Sequence, residues 1–360
     1  MFFETNILKK IFILAALNLI AVLLIFGLQT DMDTPTYVAA INYLNNHGEL
    51  GTSLFRLLKP FGLFAALIFT SFLTPEVSLL VSNIFFYFGA VYLIYFITFK
   101  IYQDKKTAFF ASLFFMTAYP LMRWGLAALT DMSGWCFYLL GIYLSLYFYE
   151  NRKNKLVWLN GFLAGVGMFF KETAAVGALY FGSVLLFDKS FSWSEKIKGV
   201  LKYTIAFLSI IVPISLIILY KYDYTFIQWF SYAEKIQIHY TFKQSLIYSV
   251  ENLFALMFLG WFFVFRGLIK VMQDKNINKN FLWAFMLPSL SFLIWPFRVV
   301  RLMFIAGPAL CLLAARGLEF DTKKKQYFAY SFLIFVIFFN YFFPRFVDLS
   351  MLQDLIDLIF

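Results

Sequence analysis

The sequence predicts an all-α integral membrane protein, a polytopic bundle of about eleven (ten to twelve) transmembrane helices with short amphipathic helices in the first outer loop. Three observations predict this. Of 360 residues, 62% are hydrophobic and only 14% are charged. Such a chain carries too little charge to clothe a soluble domain of this length. Apolar runs recur along the whole chain, several of them near the roughly 20 residues that span a bilayer. Finally, the basic residues collect in alternate connections, as a multi-pass topology requires. The 50 Phe and 22 Tyr read as lipid-facing and core material.

The first run, Ile11 to Leu28, follows Lys9 and Lys10 and ends in "FGLQTDMDT". It has no small-x-small cleavage site, so a retained signal anchor is expected. The candidate spans are residues 11–29, 77–99, 108–121, 131–149, 156–170, 173–187, 199–220, 251–265, 281–296, 301–318 and 327–343. "GLFAALIFTSFL" after Pro60 is too short to span and reads as an interfacial or re-entrant helix. The expected organisation is one domain over 1–360 with no separate soluble part. Residues 30–60 form its first outer loop, and 221–250 form an aromatic outer loop suited to a sugar or acceptor.

With the N-terminus inside and the spans alternating, 20 of the 30 basic residues fall on the inner side. The positive-inside rule makes that threading coherent and places the N-terminus in the cytoplasm, with membrane lipids as standing partners. The expected location is a bacterial inner membrane. The net charge of +10 is absorbed by topology and lipid head groups. No basic face with interleaved aromatics speaks for nucleic acid. Cys136 and Cys311 are isolated in apolar runs, and His47 and His239 are the only histidines, so no protein-built metal site is expected. No cofactor is required; a divalent metal is allowed but not expected.

Four charged elements fall at outer helix ends. In "TDMDTPTY", Thr34 reads as a hydroxyl cap with Pro35 opening a short amphipathic surface helix that carries Tyr37, and Asp33 stands at its positive end. Asp31 is two residues earlier. In "RWGLAALTDMSGW", Asp131 opens a span, with Arg123 and Trp124 just before it. Lys171 and Glu172 interrupt an apolar stretch, which suits a tight outer turn between two helices packed through small residues such as Gly161, Gly165 and Gly167. In "WPFRVVRLMF", Arg298 and Arg301 stand three apart, and paired guanidinium groups suit phosphate. Each element has a plainer reading: a helix cap, a charged turn, or snorkelling to head groups. Their convergence on one membrane face is what points to a site.

The pattern D-T-P-T-Y-x-x-A-x-x-Y-L-x-x-x-G after a first span resembles the first outer loop of the GT-C glycosyltransferases. These multi-spanning enzymes use polyprenyl-phosphate sugars and include the protein O-mannosyltransferases and the aminoarabinose transferases of lipid A. The likeness continues through "TAFFASLFFMTAYPLMRWGLAALTDMSGW", "NGFLAGVGMFFKETAAVGALYFG" and "RLMFIAGPALCLLAARGLE", over roughly residues 1–320. The resemblance implies a catalytic acid at Asp33, four residues before Tyr37, with Asp31 the second choice. It matches Asp131 to the acid opening the fourth span, Lys171–Glu172 to a lysine–acid pair, and Arg301 to a basic residue before the penultimate span. Larger family members append a soluble domain, and protein mannosyltransferases have adjacent acids where this chain has "DMD".

The implied reaction is an inverting transfer from a polyprenyl-phosphate sugar to a lipid, glycan or protein acceptor on the outer face. Asp33 would act as general base, and Arg298, Arg301 or Lys171 would stabilise the leaving phosphate. Tyr232, His239 and Tyr240 are candidate sugar or acceptor contacts. The D-x-D spacing of "DMD" suits metal-bound nucleotide sugars, but those are cytoplasmic and this motif is predicted outside. A transporter or flippase of lipid-linked sugars predicts internal repeats and mid-membrane charges, which the sequence lacks. A non-catalytic scaffold predicts no aligned outer charges.

Overall fold

A computed structural model describes residues 2–236, 242–275, 277, 279–291 and 299–346, and among these the architecture is entirely helical apart from one isolated parallel bridge, Gln29 to Ala127. α1 (Phe2–Phe26) ends at Gly27, whose φ of +66° reverses the chain at no steric cost. α2 (Thr34–Leu44) and a 3-10 segment (Gly51–Leu58) form the first connection, followed by α3 (Pro60–Leu67). α4 (Pro75–Tyr102) starts at Thr74, which accepts from Val77 N, and Pro75 adds a preset φ at the first helical position. α5 (Lys105–Met116) is capped by Asp104, and a π-turn (Leu121–Gly125) leads to α6 (Asp131–Asn151).

α7 (Asn154–Met168), a 3-10 turn (Glu172–Ala175) and α8 (Val176–Phe187) make the expected helical hairpin. Gly167 closes onto Ala174 across the turn as expected, a Cβ there lying 2.8 Å from that of Ala174, whereas Gly161 and Gly165 back onto the carbonyls of Tyr203 and Phe207 in α9 (Trp193–Tyr222). α9 opens on a full Ser192–Glu195 capping box. The segment expected as outer loop 221–250 contains α10 (Phe226–Ile236) and the start of α11 (Phe242–Met257), so its described part is helical. α12 (Trp261–Gln273), α13 (Lys279–Ser289), α14 (Val300–Met303), α15 (Gly307–Gly317) and α16 (Lys323–Phe346) complete the chain.

Each candidate span with described residues overlaps helix, but 251–265 and 301–318 each divide between two helices, so the described helices do not match the eleven expected spans one for one. Among the described residues, four helical stretches are long and apolar enough to cross a membrane by themselves: Asn6–Phe26, Pro75–Tyr102, Trp193–Tyr222 and Ser249–Gln273. The other helices are shorter or, like α6 with 21 residues and α16 with 24, long enough but less apolar. The span expected at 301–318 is interrupted between α14 and α15, where Pro308 restarts the helix.

The core joins α1, α4, α5, α6, α12, α15 and α16. α12 and α15 make backbone contact: a Cβ on Gly267 would lie 1.8 Å from the Leu313 carbonyl oxygen, and one on Gly317 2.0 Å from that of Phe263. Side chains such as Leu24 and Tyr220 on α1 and α9 stay exposed, as lipid-facing surface requires. A second, smaller cluster packs Tyr37, Ala40 and Ile41 of α2 onto Leu63, Leu79 and the 127–129 segment. That cluster is the floor of the site.

Candidate active site at one end of the bundle

The loop between the π-turn and α6 is the scaffold on which the site is built. Asn83, buried in α4, donates from Nδ2 to the carbonyls of Ala127 (2.8 Å) and Leu129 (2.9 Å). Gln29 donates to Met122 O at 2.7 Å, and its own carbonyl accepts from Ala128 N at 2.9 Å. Arg123 reaches Gln29 Oε1 at 3.3 Å and Thr30 O at 3.4 Å, so it holds the backbone immediately before Asp31 and does not enter the acid cluster. Thr34 donates to Ala128 O at 3.1 Å and accepts from Asp31 N at 2.9 Å. This corrects the expectation for Thr34: it lies inside α2 and staples that helix to the 127–129 segment, while the N-cap position belongs to Asp33.

Asp33 makes no side-chain capping bond. Its carboxylate points away from the helix it precedes, into two arginines. Oδ1 meets Arg56 Nη2 at 2.7 Å and Oδ2 meets Arg301 Nη2 at 2.5 Å. The same Arg301 uses Nη1 to bind Asp31 Oδ2 at 3.0 Å. One guanidinium from α14 therefore spans both acids of "DMD". Arg56 is itself fixed: Nε donates to Thr36 Oγ1 at 2.8 Å, and its plane lies 4.0 Å from the Tyr37 ring centroid. Tyr37, fully buried, shares a 2.8 Å hydrogen bond with Thr130.

The lysine–acid pair read at positions 171 and 172 is split between two other partners. Lys171 Nζ lies 3.3 Å from Asp131 Oδ1, with side chains 4% and 1% exposed. Glu172 is held by Lys59 Nζ at 2.8 Å, and Lys59 also faces the Trp229 ring of α10 at 5.4 Å. Gly134, one turn into α6, is what lets the Lys171 backbone approach: a Cβ there would sit 2.3 Å from Thr173 Oγ1 and 2.6 Å from Lys171 Cβ. Neither oxygen of Asp131 has a hydrogen-bond partner among the described residues, so its charge is balanced by Lys171 alone at contact distance.

Four acids (Asp31, Asp33, Asp131, Glu172) thus interlock with four bases (Arg56, Lys59, Lys171, Arg301) at one end of the bundle. Burial opposes ionisation of Asp33, but Arg56, then Arg301 and Lys171, outweigh it and hold its carboxyl well below the usual carboxylate range. Burial likewise opposes the charge on Glu172, yet Lys59 and Lys171 bring it down to about 2. Lys171 is fully buried, which favours loss of its proton, but Asp131, Tyr37 and Glu172 hold it protonated. Asp33, Glu172 and Lys171 therefore all carry charge at neutral pH.

A cleft of about 430 Å³ opens beside Asp31 on the far side of α2, lined by Thr30, Asp31, Thr34, Val38, Asn42 and Glu76 and by no cation. Among the described residues no three His, Cys, Asp or Glu side chains come together as a metal site.

The structure brings Asp31, Asp33, Tyr37, Asp131, Lys171, Glu172 and Arg301 together. Tyr232, about half exposed on α10, makes no described contact with the cluster; Trp229, one turn earlier, does. Arg298, His239 and Tyr240 lie outside the described residues. Arg56 and Lys59 escaped sequence reasoning. The only signal for them was a pair of basic residues three apart in "LFRLLKPFG", a pattern that solvated loops also show.

Residues 60–218 match the family model described as dolichyl-phosphate-mannose-protein mannosyltransferase. The match takes in Asp131, Lys171 and Glu172 and begins just after the segment holding Asp31, Asp33 and Arg56. No curated protein matches the chain. Over residues 60–218 the chain carries the sequence pattern of the dolichyl-phosphate-mannose-protein mannosyltransferases, a GT-C family, which together with its apolar helical fold supports a membrane glycosyltransferase of the GT-C type.

Proposed function

We propose that the protein transfers a sugar, with inversion, from a polyprenyl-phosphate donor to an acceptor hydroxyl on the outer face of a bacterial inner membrane, its N-terminus cytoplasmic. The observation that carries this reading is the bridging of Asp31 and Asp33 by the single guanidinium of Arg301. A fork holding two carboxylates presents the geometry that also grips the oxygens of a phosphodiester. Donor binding transfers Arg301 from the acids to the phosphate, where its charge supports the leaving group as the glycosidic bond breaks. Asp33 then keeps Arg56 on Oδ1 and has Oδ2 free. With one counter-cation withdrawn its basicity rises, and it takes the acceptor's proton as that oxygen attacks the anomeric carbon.

Lys171, anchored by Asp131, supplies a second positive charge near the phosphate. Asp31 holds Arg301 in place before the donor arrives and is the alternative base. The acceptor, a lipid, glycan or protein hydroxyl, approaches through the cation-free cleft beside Asp31, on the side of α2 lined by Asn42 and Glu76. Tyr232, His239 and Tyr240 are further candidates for sugar or acceptor contact.

Incubating the purified protein with a panel of polyprenyl-phosphate sugars tests the reading. Sugar-dependent release of polyprenyl phosphate from at least one donor is expected, with anomeric inversion in the product. Binding of such donors without any release would replace the transferase with a lipid-sugar transporter.

A further inference from the structure

The opposite end of the bundle holds a second built cavity that the transfer reaction does not use. It has a volume of about 360 Å³ and lies among Leu8 of α1, Tyr95, Phe96, Phe99 and Lys100 of α4, Gln103, and Tyr143 and Glu150 of α6. α4 fixes its position. Asn83 grips the floor of the acid–base cluster, and Lys100 comes 17 residues later on the same helix, roughly 26 Å along its axis at 1.5 Å per residue. The helices turn back here: Gln103 and Arg152 close α4 and α6 in the left-handed conformation, with φ of 55° and 53°. A reach of that length is close to the roughly 30 Å hydrocarbon core of a bilayer, so head-group depth is the expected position of this end.

The lining is amphipathic in a specific way. Phe96 packs against Tyr143, and Tyr143 stacks on Tyr147, which gives an aromatic wall. At its edge Lys100 and Glu150 form an ion pair, with side chains 16% and 42% exposed. The Lys100 ammonium also faces the rings of Tyr143 and Tyr147 at 5.9 and 5.1 Å. The cavity therefore offers one cation, one anion and the Tyr143 ring side by side, above an apolar floor, with Tyr147 stacked on Tyr143 outside the lining.

We propose that this cavity binds the head group of a phosphoethanolamine-type phospholipid in the leaflet at this end of the bundle. Such a head group carries a phosphate and a primary ammonium a few ångströms apart. Laid antiparallel to the Lys100–Glu150 pair, it sets phosphate against ammonium and ammonium against carboxylate, so all four charges are paired. Lys100 keeps its place beside the Tyr143 and Tyr147 rings as it meets the phosphate, and the acyl chains run along Phe96, Phe99 and Leu8. An anionic glycerol head group would leave Glu150 facing negative charge. A choline head group has no N–H to donate to it. The exposed Lys9, Lys10, Lys153 and Lys155, none of which lines the cavity, attract anionic lipid at the surface.

Native mass spectrometry of the full chain, titrated separately with palmitoyl-oleoyl phosphatidylethanolamine, phosphatidylglycerol and phosphatidylcholine, tests this. The first phosphatidylethanolamine should bind about tenfold more tightly than either of the other two. Glu150→Gln and Lys100→Met should each remove most of that preference while leaving phosphatidylglycerol binding at the surface lysines within about twofold. Leu8→Trp, which fills the cavity and keeps both charges, should abolish the preference and serves if a charge variant does not fold. Equal affinity for the three lipids, tighter binding of phosphatidylglycerol, or a preference that survives both Glu150→Gln and Leu8→Trp would overturn the proposal.

Discussion

Replacing Lys171 by methionine removes the ammonium that balances Asp131 and keeps most of the volume. The two groups stand 3.3 Å apart with side chains 4% and 1% exposed, and neither Asp131 oxygen has a hydrogen-bond partner among the described residues. Breaking a buried ion pair from one side costs about 3–5 kcal/mol, because the remaining charge is stranded in a poorly solvated place. A ceiling follows independently. A stranded carboxylate escapes by binding a proton, and for a carboxyl of ordinary acidity that costs about 4 kcal/mol at pH 7 and about 1.5 kcal/mol at pH 5. The loss should therefore be about 3–4 kcal/mol at pH 7 and shrink to about 1–2 kcal/mol at pH 5. The sign is fixed: a group driven to its protonated form in the fold destabilises more as pH rises. In the Lys171→Met/Asp131→Asn double variant most of the penalty and all of its pH dependence should disappear. Unfolding by SDS in lipid–detergent micelles, followed by tryptophan fluorescence at both pH values, reads this. A Lys171→Met loss that is the same at pH 5 and pH 7, or a double variant that is simply the sum of the singles, would refute the pairing.

Arg56→Met withdraws one of the two guanidinium groups holding Asp33 low, so the acid limb of the kcat/KM profile should move up by about 1–3 pH units; an unmoved limb would separate Asp33 from proton transfer. Glu172 ionises at about 2 in the fold against 4.5 ordinarily, so its contribution is full above pH 4.5 and fades as pH falls towards 2. Melting temperature should drop across that acid window in the wild type, and by less in Glu172→Gln. Gly267→Ala places a methyl against the Leu313 carbonyl and must part α12 from α15, costing several kcal/mol in the same SDS titration, whereas alanine at open Gly182 should cost little. Asn83→Ala frees the 127–129 segment; transfer should fall tenfold or more, while the melting temperature drops only modestly.

Much of the site was legible in the sequence because charge is rare in this chain. Asp31, Asp33, Asp131, Lys171, Glu172 and Arg301 stood out against apolar surroundings, and the order of the motifs anticipated the family match over 60–218. What could not be read was pairing. Lys171 and Glu172 are neighbours in the chain, yet each turns to a partner from another element, because extended backbone at Lys171 sends successive side chains to opposite sides. Arg56 and Lys59 were invisible for the converse reason. They lie in a connecting segment where basic residues are ordinary, and only the fold folds that segment back over Asp33 and Glu172. The break between α14 and α15 was also hidden, since "VVRLMFIAGPALCLLAARG" has no interruption in hydropathy; only Gly307-Pro308 marks it, and that interruption is what puts Arg301 on a short helix facing the two aspartates.

The most direct test of the account is to compare Asp33→Asn with the wild type for both donor binding and sugar transfer in the same lipid nanodiscs. The account predicts that Asp33→Asn still binds a polyprenyl-phosphate sugar, at least as tightly because Arg301 is less restrained, while transfer falls by about 10²–10⁴-fold. Transfer at the wild-type rate by a folded Asp33→Asn protein would contradict it.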